Sequence, residues 1–360
     1  MSLYSETYIE ARSQLLDAAS ARGARMESFW NPRGLGPAGE QLRTHVACIG
    51  PMAPARLLVC VSGTHGIEGF AGSAIQTGLL RAGFPAGAPA DLGFLVIHAL
   101  NPYGFAYRRR VNEDNVDVNR NFIDHERPPG NPGYPQLHRA LAPSTWDRAS
   151  RRWTAGFLQE YARQHDPRAL QATVTQGQWT HPDGLFYGGT APVWSHRTLS
   201  SIASRYLAGV PRIGYIDLHT GLGKRAWGEP IFRGGPDPGA LKRARAWYGE
   251  HLTGSADGSS SSTPIVGNTA SLVASMLGDG QLMTAITLEF GTLSGSEVLA
   301  SLCGDNWLHL HGDAPAWQAR EITRAMLEAF YPDDQTWRDA VWERAVTVFD
   351  QACRGLSGQC

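Results

Sequence analysis

The sequence of 360 residues lacks the features that most directly announce a partner. Basic and acidic residues number 32 and 33, which leaves a formal net charge of -1, and no long Lys/Arg block occurs. That balance speaks against nucleic acid or an anionic membrane surface as a partner. No apolar run approaches the length of a membrane span. The opening MSLYSETYIEARSQLL has no basic start followed by an apolar core, so no secretory signal is expected. The five cysteines, Cys48, Cys60, Cys303, Cys353 and Cys360, include no closely spaced pair. An odd count without a framework fits a reducing cytoplasm. Two enzyme classes lose their signatures as well. No Gly-x-Ser-x-Gly elbow exists for a serine hydrolase, and no Gly-rich segment ends in Gly-Lys-Ser/Thr to cradle phosphate. Internal repeats and strong boundaries are missing too. A single domain over 1–360 is therefore expected, with 331–360 as a C-terminal helical extension.

What the chain does contain is enough hydrophobic residue, 42%, for a sizeable core. Its organising stretch is Leu57–Gly72, LLVCVSGTHGIEGFAG. Five apolar residues, Leu57 to Val61, read as a buried strand. Ser62-Gly63-Thr64 breaks it, and His65 and Glu68 follow three residues apart. A His-x-x-Glu pair is commonly a surface or helix contact. Here it stands where a buried strand opens into a Gly-rich turn, which is where open α/β sheets carry ligands. Zinc takes imidazole nitrogen and carboxylate oxygen, and a catalytic site keeps one position open. The third ligand must come from elsewhere, and His219, ending the apolar strand Arg212–His219, fits. A third strand, Leu282–Glu289, presents Glu289 at its end in the same way.

The flanking pattern is helix over Tyr4–Ala19, short strands near Met26–Trp30 and Thr44–Ile49, and strand Arg56–Val61. Helix 67–82 and strand Leu92–Leu100 follow, a strand–helix–strand unit that predicts a parallel pair. Asn101–Arg127 carries five arginines with several Asn and Asp side chains beside a strand end, as a pocket wall does. Arg has a planar donor fork suited to carboxylates. Arg120 beside Asn119 fits a substrate-carboxylate clamp, and Arg109 or Arg110 fits a carbonyl oxygen. Helix Trp146–His165 places Trp153, Phe157 and Tyr161 on one stripe, expected to be core. Gln176–Trp194 is Gly/Pro/aromatic-rich and long, so a lid or pocket rim is expected there, with His181 and Tyr187 as its polar candidates. The serine-rich run Ser255–Thr263 reads as a mobile loop. Helices over Pro238–His251, Asn268–Leu277, Ser296–His309, Pro315–Phe330 and Trp337–Arg354 complete the pattern.

His65-x-x-Glu68, Asp117-Val118-Asn119-Arg120-Asn121-Phe122, Asp217-Leu218-His219 and Leu288-Glu289-Phe290-Gly291-Thr292 occur in the order found in zinc carboxypeptidases. The chain resembles that superfamily over roughly residues 5 to 330. It resembles more closely a bacterial branch placed beside the M14 metallopeptidases, the domain of unknown function 2817, through its RRVNEDNVDVNRNF and FYGG…WSHRTL runs. Succinylglutamate desuccinylase and aspartoacylase are also similar. The resemblance implies a three-layer α/β/α fold with a mixed, mostly parallel twisted central sheet. It implies one zinc per chain on His65, Glu68 and His219, with Glu289 as general base or acid. Asn119 and Arg120 would hold a substrate carboxylate. Arg110, or alternatively Arg109, would polarise the scissile carbonyl, and Asp117 would hydrogen-bond the outer nitrogen of a ligand histidine.

The implied activity is zinc-dependent hydrolysis of an amide or peptide bond next to a free carboxylate, on a small peptide or an acyl amino acid. One departure matters. Peptide-cleaving members carry a Tyr before the catalytic Glu, and Leu252–Leu288 contains none. Tyr187 would have to substitute. An N-acyl amino acid amidohydrolase therefore stays open, as does a non-catalytic binding protein on the same scaffold.

Overall fold

A computed structural model describes residues 3–84, 88–235 and 237–358. Eight strands form one sheet: β1 (Arg25–Leu35), β2 (Gln41–Ile49), β3 (Arg56–Val61), β4 (Leu92–His98), β5 (Arg212–Arg225), β6 (Gly228–Phe232), β7 (Thr253–Gly254) and β8 (Leu282–Gly291). Their spatial order is β1-β2-β4-β3-β5-β8-β6-β7. β4, β3, β5 and β8 run parallel in the middle, whereas β1, β2 and β6 join antiparallel at the flanks. The short β7 pairs parallel with β6. The expected mixed, mostly parallel sheet is what forms.

The helices are α1 (Tyr8–Ala21), α2 (Gly69–Arg81), α3 (Pro102–Ala106), α4 (Tyr134–Leu141), α5 (Arg148–His165), α6 (Pro167–Thr175), α7 (Trp194–Tyr206), α8 (Ala240–Tyr248), α9 (Thr269–Ser275), α10 (Gly295–His311), α11 (Ala316–Phe330) and α12 (Gln335–Leu356). None is long and apolar enough to cross a membrane among the described residues.

Successive strand residues face opposite sides, and this sorts the core into two layers. Leu58, Cys60, Phe94, Val96, Ile216, Leu218, Ile286, Leu288 and Phe290 join one cluster with α1, α2, α8, α10, α11 and α12. Their alternates Leu57, Val59, Val61, Leu95, Ile97, Ile213, Tyr215, Met283 and Ala285 pack against α7 and α9. Both faces are covered, so these strands read as continuous apolar runs rather than alternating ones. Each fully buried Val, Leu or Ile contributes roughly 1.5–3 kcal/mol. α12 belongs to the first layer, burying Trp337, Val341, Ala345, Val348 and Phe349. Trp337 Nε1 donates to Gly291 O at 2.9 Å, at the end of β8.

β3 lies between β4 and β5. The chain leaves β3 through α2 on one face and re-enters at β5 through α7 on the other. That reversal makes the carboxyl ends of β3 and β5 the switch point of the sheet, where a crevice opens.

Three local expectations are corrected. β5 does not stop at His219 but continues to Arg225, with a register shift between Gly221 and Arg225. α5 buries only Thr154. Trp153 is exposed and stacks on Phe157 at 5.4 Å, while Phe157 and Tyr161 are half-buried against the edge of the main core, so only part of this stripe is core. The serine-rich run is anchored rather than loose. Ser261 N and Oγ both donate to the buried carboxylate of Glu229, and Gln171 Nε2 donates to Ser261 O at 2.8 Å.

Candidate metal centre

His65 and Glu68 emerge in the turn between β3 and α2, while His219 and Glu289 lie opposite each other on β5 and β8. The turn is held by backbone bonds to a second loop: Gly66 N donates to Arg110 O at 3.1 Å and Ile67 N to Arg109 O at 2.8 Å. This approach requires glycine. A Cβ on Gly66 would sit 2.0 Å from the backbone of Gly104.

His65, Glu68 and His219 are all buried, and one ligand atom from each lies within 4.8 Å of the others. His65 Nδ1 is 2.8 Å from Glu68 Oε1, His219 Nδ1 is 2.9 Å from Glu68 Oε2, and the two Nδ1 atoms are 3.1 Å apart. The cluster can coordinate a metal ion. Its donors, two imidazoles and a carboxylate, suit zinc.

The outer nitrogens strengthen the fit. His65 Nε2 is 3.1 Å from Asp117 Oδ1 and His219 Nε2 is 3.0 Å from Asp217 Oδ2, although the latter pair misses hydrogen-bond alignment. Carboxylates at both outer nitrogens favour Nε2–H tautomers and leave Nδ1 for a cation. Asp217 is itself fixed, accepting from Thr64 Oγ1 at 2.9 Å and Thr269 Oγ1 at 2.8 Å. Asp117 caps a single 3₁₀ turn, Val118–Arg120, by accepting from Asn119 N at 3.0 Å. Asn119 Oδ1 in turn accepts from Thr269 N at 3.2 Å.

The charges are mutually set. Burial opposes ionisation of Glu68, but His65 and His219 more than offset it and hold the carboxyl below its usual range. Burial likewise opposes a proton on His219, yet Asp217 and Glu68 push its pKa up to about 10. Asp117 is buried, and Arg110 foremost keeps it ionised. Glu289 differs from its neighbours. Burial, then the charge of Glu68, raise it to about 7 against the pull of His219 and of Leu222 N, which donates to Oε1 at 3.0 Å. One carboxylate is held charged while the next sits near neutrality, the separation expected of a ligand and a proton-transfer group.

The two arginines of the 109–110 pair point opposite ways. Arg110 Nη1 donates to Glu68 Oε1 and Nε to Asp117 Oδ2, both at 3.1 Å, and its guanidinium lies over the Phe186 ring at 5.1 Å. Its Nη2 is 2.7 Å from His65 Nε2. A guanidinium only donates, so this contact and the Asp117 contact compete for the state of one nitrogen. Arg109 turns away, donating to Asp305 on α10 and to Asn115. Unlike Arg110, it does not line the cavity at the cluster.

Arg120 reaches the cavity but is held from behind. Nε and Nη2 donate to Thr175 O at 2.8 and 2.5 Å, and Nη1 to Asn119 O at 2.9 Å. Tyr187 is also corrected. Its ring packs with Val116 and Val193, and its carbonyl accepts from Asp117 N at 2.7 Å. Its neighbour Phe186 faces the cavity instead. His181 lies tilted against His138, ring centroids 4.2 Å apart, outside the cavity lining.

Two residues escaped the sequence reading. Asp217 had a signal, since it precedes His219 by two on one strand and so shares its face. Arg233, just past β6, had none. It lines the cavity near Glu289, donating to Thr287 Oγ1 at 2.9 Å and Ser255 Oγ at 3.2 Å.

The cluster, Glu289 and the arginines 110, 120 and 233 all line one cavity of about 860 Å³. Among solved structures, the chain is similar to thrombin activatable fibrinolysis inhibitor at 13% identity, covering 98% of this chain and 75% of that one, with a TM-score of 0.49. It is similar to carboxypeptidase A from Helicoverpa armigera at 12% identity, covering 90% and 74%, with a TM-score of 0.45. The succinylglutamate desuccinylase from Chromobacterium violaceum shares 16% identity over 89% and 74%, with a TM-score of 0.33. No curated protein matches the chain. The model of one family, described as protein of unknown function (DUF2817), matches residues 4–344, and the chain belongs to that family.

Proposed function

We propose that this protein is a zinc-dependent hydrolase that cleaves an amide bond next to a free carboxylate. The observation that carries this reading is the placement of Glu289 beside the His65–Glu68–His219 cluster, in one cavity with Arg110. His65, Glu68 and His219 would hold the ion. Zinc there supplies Lewis acidity and acidifies water.

The chain's own groups do the rest. Glu289 accepts a proton from the attacking water, a role suited to a carboxylate raised toward neutrality. The water oxygen bonds to the acyl carbon, the C–N bond breaks, and Glu289 returns the proton to the leaving nitrogen. Arg110 donates to the developing oxyanion. Asp117 keeps the proton of His65 on Nε2 and orients the ring. Asn119 and Arg120 receive the free carboxylate, with Arg233 as a further cation in the same cavity.

Within this activity, an acyl amino acid is favoured over a peptide because no tyrosine lines the cavity among the described residues. The test is hydrolysis of a panel of C-terminal peptides and N-acyl amino acids by zinc-loaded protein, with metal content measured. Release of free amine from acyl amino acids is expected. A preparation with about one zinc per chain and no release from any member would overturn the reading.

A further inference from the structure

The cavity is larger than the chemistry needs, and its surplus is apolar. Apart from Arg151 on α5, its charged lining comes from the ends of the sheet strands and the 110–120 loop, and α5, α6 and α10 contribute mostly hydrocarbon. α5 fully buries only Thr154, and its cavity-facing Leu158 and Ala162 stay half-buried, Leu158 at the edge of the main core. Those two positions are four apart and lie on one face of the helix. Val298 and Leu302 repeat the spacing on α10, and Trp146 and Leu170 also line the space. Several polar side chains among these helices already have partners. Thr154 Oγ1 donates to Ala140 O at 3.2 Å, Gln171 Nε2 to Ser261 O, and Arg151 Nη1 to Glu321 Oε1.

We infer that this helical chamber receives the acyl chain of the substrate, so that the substrate is an N-acyl amino acid with a medium or long aliphatic chain. This rests on the hydrolase reading above. A peptide is a poor occupant here. Every residue of an extended peptide brings an N–H and a C=O that need partners, and helical walls with satisfied backbones offer few. A hydrocarbon chain carries no such groups. The chamber is continuous with the site at Glu289, Phe330 and Val298. A chain entering from an acyl carbon at the cluster therefore passes from charged to apolar surroundings along its length, as an amphiphile does.

The test uses binding as well as turnover. Straight-chain alkanoates from acetate to decanoate, below their micelle concentrations, are titrated calorimetrically into the chelator-treated full-length protein. Each buried methylene is expected to tighten binding about threefold to fourfold. Leu158→Asp, on the half-exposed α5, should weaken decanoate at least tenfold and acetate less than twofold. Leu302→Trp, which fills the chamber, should shorten the longest chain that still gains affinity. Flat affinity across the series, or a slope that both folded variants leave intact, overturns the inference. In parallel, zinc-loaded protein is offered N-acetyl, N-hexanoyl and N-decanoyl forms of each amino acid in a panel. Chain-dependent binding without hydrolysis of any amide would reject the hydrolase reading and leave the chamber. Hydrolysis indifferent to chain length, with flat alkanoate binding, would reject the chamber and leave the hydrolase.

Discussion

His219 and Glu289 are register partners on neighbouring parallel strands, so their side chains leave the sheet on the same face at the same level. Adjacent strands lie about 4.8 Å apart, which puts an imidazole of the cluster and a carboxylate side by side without either depending on a loop. Glu289 is not part of the cluster that can hold a metal. Glu289→Gln should therefore retain its metal, read by elemental analysis, and lose turnover by roughly 10²–10⁴-fold. Full activity in that variant would remove Glu289 from the chemistry, and loss of metal would move it into the ligand set.

Asp217 and Asp117 hold the outer faces of the two ligand histidines. Partners of this kind typically cost ten- to a hundredfold in metal affinity when removed. Asp217→Asn should lower zinc affinity in that range, measured against a competing chelator, while the strand stays paired. His219→Ala should abolish stoichiometric binding. An Asp217→Asn protein with unchanged affinity would mean that Asp217 serves only Thr64 and Thr269.

Much of this site was legible because strands deliver it. His65, Glu68, His219 and Glu289 all follow apolar runs whose ends are easy to read, and a period of two, overlooked in the sequence, puts Asp217 on the face of His219. Arg110 and Arg109 could not be separated from sequence. Consecutive residues point apart, and only the backbone bonds from Gly66 and Ile67 decide which one meets the cluster. Arg233 was invisible because it follows a short strand into a Gly-Gly loop with no period. The stripe of Trp153, Phe157 and Tyr161 misled for a related reason. Its spacing is helical, but spacing does not say which face meets the sheet, and on α5 the smaller side, Leu158 and Ala162, faces the cavity.

A separate prediction concerns His45 and His98, register partners on β2 and β4. Both are buried, and His98 Nε2 is 2.9 Å from Ser73 Oγ. Burial, aided by nearby positive charge, lowers His45 to about 4 and His98 to about 3. Below the ordinary value of 6.5 the unfolded chain takes up protons that the folded chain refuses. Stability should therefore fall as pH drops from 6.5 toward 4, on the order of 3 kcal/mol per histidine at about 1.36 kcal/mol per pH unit. Urea unfolding at pH 7 and pH 4.5 checks this against the His45→Gln/His98→Gln double variant. The variant should lose part of the pH slope, and equal slopes in the two proteins would refute the assignment.

The last prediction separates binding from chemistry among the cavity arginines. Arg120 has Nε and Nη2 on Thr175 O and Nη1 on Asn119 O, with Asp117 3.9 Å away. Arg233 forms no ion pair among the described residues and is held only through Thr287 and Ser255. A substrate carboxylate calls for charge-assisted donors, and such bonds are worth about 1.5–3 kcal/mol each. If Arg120 grips that carboxylate, Arg120→Ala should raise KM by roughly ten- to a hundredfold, mainly for substrates with the free acid. Amidating the carboxylate should then cost the parent enzyme much and the variant little. If Arg110 donates to the scissile carbonyl oxygen, Arg110→Ala should depress kcat on both forms. If Arg120 instead only fastens Thr175 and Asn119, its loss should lower thermal stability or metal content and reduce both substrate forms in equal proportion. In that case Arg233→Ala should show the free-acid preference in its place. The free-to-blocked rate ratio for the three variants, with zinc content checked in each, decides which arginine reads the substrate.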